Sequence, residues 1–174
     1  AALSRATGDR WGLASSLRTL GMLAIFAQRL DEAAAYLDEG LALARELGDS
    51  WVLARALHCA GELARSRGDD MRARACCEES LALYHELGHR YSAATMLHNL
   101  GYVAQHEGDL PRALACFREA LTEHAKYGDR ELIGYCIGGV AGIAGLLGRP
   151  ERTARLFGAA AAAIEGAGAS IWPV

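Results

Sequence analysis

Glycine recurs every forty residues along this 174-residue chain, at Gly8, Gly48, Gly88, Gly128 and Gly168. The residues between these glycines repeat with the same period: Leu17, Leu57 and Leu97 share one position, and Ala33 and Ala73 share another. A fixed period of this length marks units that are too small to bury their apolar faces alone and must stack on their neighbours. We therefore look for the function on a stacked surface rather than in one compact pocket.

Each forty-residue block contains two amphipathic helical patterns. Leu13, Leu17 and Leu20 recur at three-to-four-residue spacing in the first pattern, and Leu37 and Leu41 do so in the second. Glycine followed by a capping residue, often aspartate, separates the patterns, as expected where one helix ends and the next begins. The sequence predicts helical hairpins with helices at 10–28 and 31–47, 50–67 and 71–87, 90–107 and 111–127, and 130–147 and 151–166.

Composition argues against several classes of partner. The 18 basic residues include a single lysine, Lys126, and are interleaved with 21 acidic residues, so no basic stripe forms and we expect no direct contact with nucleic acid. No apolar run reaches the ~20 residues of a membrane helix, so no membrane association is expected. The five cysteines are odd in number and lack paired C-x-x-C spacing, which indicates thiols in a reducing compartment and a cytoplasmic location.

Signatures of catalysis are missing from the sequence. It has no phosphate-binding G-x-x-x-x-G-K-[ST] loop, and the histidines do not form a metal-binding H-E-x-x-H pattern. Gly134, Gly138 and Gly142 lie at helical spacing, which favours close helix packing or a frayed repeat over a glycine-rich loop. We expect no enzymatic activity, no cofactor and no metal.

The third block carries a recognisable pattern, with Leu97, Leu100-Gly101 and Ala104 in its first helix and Ala113, Phe117 and Ala120 in its second. This pattern resembles the tetratricopeptide repeat, and the first and second blocks follow it closely. The fourth block is degenerate, with Ala141 in place of the glycine and Thr153 in place of an alanine. The resemblance implies an all-α fold, a right-handed α-solenoid of about four helical hairpins.

The forty-residue period is longer than the commonest form of this family. It resembles the repeat arrays of bacterial signal-transduction ATPases and of LuxR-type or maltose-regulator-like activators, and also the animal Pins-type adaptors. The preference for arginine over lysine and the abundance of alanine indicate a GC-rich bacterial gene and favour the bacterial group.

The repeat frame divides the chain as follows: 1–9, end of the second helix of an upstream repeat; 10–48, 49–88 and 89–128, three repeats; 129–168, a degenerate fourth repeat; 169–174, start of a truncated following segment. Both ends fall inside repeat units and neither provides a polar cap, so we expect a fragment of a longer protein.

In the resembled family, ligand segments lie along the concave surface formed by the first helices of the hairpins. That comparison gives the predicted partner-binding residues Arg18, Met22, Arg55, His58, Glu62, Arg65, His98, Asn99, Tyr102 and His106. An ordinary solvated groove is the alternative interpretation of this face.

The sequence therefore predicts an interaction or sensor region of a bacterial signal-transduction or transcriptional regulator. It would bind a protein or peptide segment, with an attached ATPase or effector domain as one such partner. The alternatives are a stand-alone scaffold or adaptor, and a helical accessory domain of an enzyme such as a kinase or cyclase.

Overall fold

A computed structural model of the chain describes residues 1–167. The described residues form α-helices joined by short turns, without a β-strand among them. The helices are α1 (Ala2–Thr7), α2 (Arg10–Phe26), α3 (Leu30–Leu47), α4 (Ser50–Ser66), α5 (Asp70–Glu86), α6 (Arg90–His106), α7 (Leu110–Tyr127), α8 (Arg130–Leu146) and α9 (Pro150–Glu165). These bounds differ from the predicted helices by no more than two residues.

The helix boundaries follow from local capping chemistry. Asp49 precedes α4 and its carboxylate accepts hydrogen bonds from the backbone N–H groups of Trp51 and Val52. Asp129 caps α8 in the same way, through the N–H group of Leu132. Each such cap contributes about 1 kcal/mol to helix stability. Gly48 ends α3 with φ 67°, a left-handed conformation that a side chain disfavours.

The chain divides into two compact units, residues 1–89 and residues 90–174. In unit 1, α2 packs against α3, α4 packs against α5, and α4 also packs on α2 and α3. In unit 2, α6 packs against α7, α8 packs against α9, and α8 also packs on α6 and α7. The predicted fold class is confirmed: the fold is all-α and is built from consecutive packed helical hairpins, as in an α-solenoid.

Each hairpin is closed by a glycine of its first helix that faces a larger residue of its second helix. Gly21 in α2 faces Leu37 in α3, so that a Cβ atom at Gly21 would lie 2.4 Å from the leucine side chain. The corresponding pair in the second hairpin is Gly61 and Cys77, where a Cβ atom would lie 2.9 Å from the sulfur. The missing Cβ atoms therefore set how closely the two helices approach.

The core of unit 2 centres on Phe117, which is fully buried. Its ring lies against Gly101 of its own hairpin, where a Cβ atom would come within 2.7 Å of it. On the other side it lies against Gly139 of α8, where a Cβ atom would come within 2.4 Å. Phe117 is thus held between two glycines, one from each hairpin of the unit.

The fourth hairpin departs from this arrangement. Ala141 occupies the repeat position of Gly101 and is itself fully buried. Phe157, which occupies the repeat position of Phe117, leaves 50% of its surface exposed. Among the described helices, only α8 packs on α9.

In unit 1, exposed ion pairs link α1 to α3 and α3 to α5. Arg5 of α1 pairs with Glu39 of α3 at 2.7 Å, and Arg45 of α3 pairs with Glu79 of α5 at 3.4 Å. These glutamates repeat every forty residues, so one stacking contact occurs twice. Solvent-exposed pairs of this kind contribute little to the free energy of folding, up to about 1 kcal/mol each.

Candidate functional site

We call α2, α4, α6 and α8 the first helices and describe the predicted partner-binding residues on them unit by unit. In unit 1, Arg18 and Met22 lie on α2, and Arg55, His58, Glu62 and Arg65 lie on α4. All six are partly exposed. The predicted residues of this unit thus share one partly accessible surface on two neighbouring helices.

Two arginines on this surface have no carboxylate partner in the part of the chain that the structure describes. The Arg18 guanidinium donates to the Thr19 hydroxyl at 3.2 Å and lies 4.0 Å from the Cys59 sulfur, which is a weak contact. Arg55 lies over the Trp51 ring, with its guanidinium carbon 5.5 Å from the ring centroid. Within residues 1–167, neither arginine forms an ion pair. Both line the same narrow crevice between α2 and α4.

A second group on α4 is internally paired. Arg65 donates to Glu62 at 2.8 Å, and His58 Nε2 lies 4.0 Å from the other carboxylate oxygen of Glu62. Burial lowers the pKa of His58 most, Glu62 opposes that shift, and the charges of Arg18 and Arg55 reinforce it. With His58 neutral, the positive charges of Arg18, Arg55 and Arg65 outnumber the single negative charge of Glu62.

Met22 belongs to the apolar end of α2. It packs on a core cluster that includes Ala24 and Leu37. Its neighbours Leu23 and Phe26 are exposed. The first helix of unit 1 therefore passes from a charged region at Arg18 to an apolar one at its C-terminal end.

In unit 2 the four predicted residues are not equally accessible. His106 is exposed and Tyr102 is partly exposed, whereas His98 is buried and the Asn99 side chain exposes only 2% of its surface. Tyr102 packs edge-on against Phe117, with ring centroids 5.0 Å apart, and its hydroxyl donates to the Tyr135 carbonyl at 3.2 Å. In this conformation the accessible part of the predicted surface in unit 2 is Tyr102 and His106.

Sequence reasoning missed a concave feature of unit 2. We call it the apolar groove; it has a volume of about 690 Å³ and lies between α6, α8 and α9. Its principal lining residues are Tyr102, Gln105, Gly138, Gly142, Phe157 and Ile164. Within the described part of the chain, no charged side chain lines it. Its only sequence signal was the glycine spacing of α8, which by itself indicates packing rather than a groove.

The thiols show no sign of activation. Burial raises the pKa of Cys59 to about 11 and that of Cys77 and Cys136 to about 12. A thiolate is the reactive form of cysteine, so these groups are poor nucleophiles at neutral pH. They serve as small core residues.

Within residues 1–167, no group of three or more His, Cys, Asp or Glu side chains is placed to hold a metal ion. No helix in the same part of the chain has both the length and the hydrophobicity needed to cross a bilayer.

Comparison with protein-family models matches residues 52–122 to the family described as tetratricopeptide repeat. This segment, about two fifths of the chain, is similar to tetratricopeptide repeats. The match contains Gly61 with Cys77 and Gly101 with Phe117, the pairs that close the second and third hairpins. Comparison with curated proteins gives no match. Tetratricopeptide repeats generally mediate protein–protein interaction, and their stacked helices present extended binding surfaces.

Proposed function

We propose that this chain is a non-enzymatic protein-interaction region that binds a peptide or protein segment on the surface of its first helices. In unit 1 the bound segment carries carboxylate groups. The observation that carries this proposal is the pair Arg18 and Arg55, which line one crevice from two neighbouring helices and have no carboxylate partner among residues 1–167.

The chemistry of arginine supports a carboxylate ligand. Its planar guanidinium presents several N–H donors and binds carboxylates through paired, charge-assisted hydrogen bonds. Both arginines also act electrostatically on His58, which indicates that their charges converge on one region. Because Glu62 already forms an ion pair with Arg65, it does not neutralise the charges of Arg18 and Arg55.

The test uses two fluorescein-labelled peptides of about twelve residues that differ only in having glutamate or glutamine at alternate positions. Fluorescence anisotropy with the full chain should show tighter binding of the glutamate peptide. That preference should weaken when salt rises from about 50 to about 300 mM, because salt screens exposed charges. Arg18→Gln combined with Arg55→Gln should weaken binding about tenfold, the effect of 1.4 kcal/mol.

The matched control is Arg5→Gln combined with Arg45→Gln, which removes the same amount of charge from α1 and α3 instead. It should leave binding nearly unchanged. Equal affinity for the two peptides, or equal losses in the two double variants, would contradict a carboxylate site at Arg18 and Arg55.

The larger context of the region is a separate part of the proposal. We infer that it belongs to a bacterial signal-transduction or transcriptional regulator, acts in the cytoplasm, and docks on an attached ATPase or effector domain. The forty-residue period and the single lysine among 18 basic residues support this inference. Sequencing the DNA on both sides should reveal an ATPase loop or a helix-turn-helix. A frame containing only further hairpins would favour a scaffold, and a kinase or cyclase domain would favour an accessory role.

A further inference from the structure

Two arginines of unit 2 occupy repeat positions that form an ion pair in unit 1. In unit 1, Arg72 of α5 pairs with Asp38 of α3 at 2.6 Å, so the pair joins the first hairpin to the second. Two repeats later, the same positions hold Arg152 of α9 and Arg118 of α7. Both positions are therefore positively charged in unit 2, and the carboxylate that completes the contact in unit 1 is missing.

A third arginine replaces an acidic residue at the start of α9. Asp69 precedes α5, and its carboxylate accepts a hydrogen bond from the backbone N–H group of Arg72. Arg149 holds the same position before α9, and its side chain forms no capping hydrogen bond. The side chains of Arg118, Arg149 and Arg152 are exposed and form no ion pair with another of the described residues. Their three positive charges are therefore not neutralised within this part of the chain.

An apolar crevice lies beside these charges, between α7, α8 and the start of α9. We call it the arginine crevice; its volume is about 80 Å³, enough for the end of one aliphatic side chain. Its lining residues are Leu114, Val140, Ile143, Ala144, Leu147, Arg149 and Arg152. Arg118 follows Leu114 by one turn on the same side of α7. The arginine crevice thus has apolar walls and a positively charged rim.

The arginine crevice is formed at a junction that the structure describes on both sides. It lies where the fourth hairpin packs on the third, through α8 with α6 and α7. Because each unit of a repeat array contacts only its neighbours, a further hairpin would pack on α8 and α9 and would not reach α7. The ion pair of unit 1 spans one such junction, so the repeat position that would neutralise Arg152 is Arg118 itself. Residues 168–174 contain no acidic side chain.

The charge pattern around the arginine crevice favours a peptide over a polyanion. Glu119 and Glu151 are exposed and directly adjoin two of the arginines in sequence. The closely spaced phosphates of a nucleic acid or an anionic bilayer would meet these glutamates as well as the arginines. A peptide can instead place single carboxylates at the guanidinium groups, which bind them through paired, charge-assisted hydrogen bonds. Its apolar side chain can then enter the crevice between them.

We propose that the arginine crevice binds an acidic segment of a partner protein in which a leucine or similar aliphatic residue is flanked by glutamate or aspartate. The aliphatic side chain packs beside Leu114 and Leu147, and the carboxylates pair with Arg118, Arg149 and Arg152. The ligand supplies the negative charge that aspartates of the chain supply in unit 1. This surface belongs to unit 2 and does not depend on the carboxylate site proposed for unit 1.

The probe is a short fluorescein-labelled peptide of glycine and serine with a central glutamate-leucine-glutamate sequence. One control peptide has glutamine in place of both glutamates, and the other has serine in place of the leucine. Fluorescence anisotropy is measured with the full chain carrying Arg18→Gln and Arg55→Gln, so that the carboxylate site of unit 1 does not contribute. We expect saturable binding of the probe and binding about tenfold or more weaker for each control peptide.

Arg118→Asp separates a binding role from a structural one. It restores the charge pair that joins the hairpins in unit 1, so it should raise the melting temperature while weakening probe binding about tenfold or more. Arg118→Gln combined with Arg152→Gln should also weaken binding about tenfold. The matched control, Arg130→Gln combined with Arg155→Gln, removes the same charge from exposed positions of α8 and α9 that do not line the crevice. It should change binding little.

Several results would overturn the proposal. They are absence of saturable probe binding, equal binding of either control peptide, unchanged binding by Arg118→Asp, and equal losses in the two double variants. Tighter binding of an oligonucleotide or of phosphatidylglycerol vesicles than of the probe would assign the arginines to a polyanion. A parent that is dimeric by light scattering and becomes monomeric with Arg118→Asp would assign the crevice to a second copy. Probe binding that appears only in a chain ending at Ala167 would assign it to residues 168–174.

The two proposals fail separately. If the peptide with alternate glutamates binds at Arg18 and Arg55 but the leucine probe does not bind, the arginine crevice is not a site and the proposal for unit 1 stands. If the leucine probe binds and Arg118→Asp removes that binding, the arginine crevice stands whether or not the other peptide binds.

Discussion

Replacing Gly101 with alanine tests whether a missing Cβ atom sets the packing of the third hairpin. At this position a Cβ atom would lie 2.7, 2.8 and 2.9 Å from three carbons of the Phe117 ring. The ring has no room to retreat, because it is fully buried and Gly139 lies against its other side. We therefore expect Gly101→Ala to destabilise the chain even though alanine favours the helix.

Gly138 provides the reference for the magnitude, because a Cβ atom there would have no other atom within 4 Å. Replacing a glycine inside a helix with alanine stabilises by up to about 1 kcal/mol, and this gain applies to both positions. Adding a methyl group to a tightly packed core costs about 1–3 kcal/mol, and this cost applies only at Gly101. Gly138→Ala should stabilise by about 1 kcal/mol and Gly101→Ala should destabilise by up to about 2 kcal/mol, so the steric term is the difference between them.

Guanidinium chloride unfolding, followed by circular dichroism at 222 nm, measures both variants against the parent. Both substitutions lie in unit 2, so separate unfolding of the two units would affect them alike. Equal stabilisation by Gly101→Ala and Gly138→Ala would refute the reasoning, because it would mean that Phe117 moves aside at no cost.

Three further predictions follow from single residues. Burial lowers the pKa of His124 below its ordinary 6.5, and both of its ring nitrogens lack a hydrogen-bond partner within residues 1–167. The contribution of neutral His124 to the free energy of unfolding should therefore be complete above about pH 6.5 and should decline as the pH falls below that value. His124→Leu should flatten that decline in unfolding titrations; an unchanged slope would contradict this origin. Gln28 has φ 57°, and Gly68 occupies the same repeat position with φ 73°. Gln28→Gly should therefore raise the melting temperature and Gly68→Ala should lower it, each through a change of about 1 kcal/mol or less in the free energy of unfolding. In native alkylation followed by mass spectrometry, the partly exposed Cys116 should react before Cys136, whose buried thiol has a pKa of about 12; equal rates would mean that the fourth hairpin opens readily.

The helices and their pairing could be predicted because the information that specifies them is local. Apolar spacing, the aspartate caps and the glycines between helices all lie within a few residues of the structure they specify. Which residues of each hairpin meet, as at Gly21 with Leu37, is known only from the structure.

The candidate site could be predicted only in part. The period correctly placed Arg18 and Arg55 on the first helices of unit 1, but it could not show that both lack carboxylate partners among the described residues. Asn99 and His106 were both predicted to lie on the partner-binding face, yet Asn99 is buried and His106 is exposed. Accessibility depends on every neighbouring side chain in three dimensions, and a repeat frame records only the position of a residue within its own block.

The sequence by itself determined the all-α hairpin fold and the positions at which each helix begins and ends, because backbone conformation and amphipathicity are short-range properties. Only the tertiary structure decided where that regularity breaks. In the sequence, Ala141 stands where the earlier repeats have a glycine, and Phe157 keeps the phenylalanine of the Phe117 position. In the structure Ala141 is fully buried and the Phe157 ring is half exposed, and neither could be read from the repeat because side-chain volume must fit among neighbours that are distant along the chain.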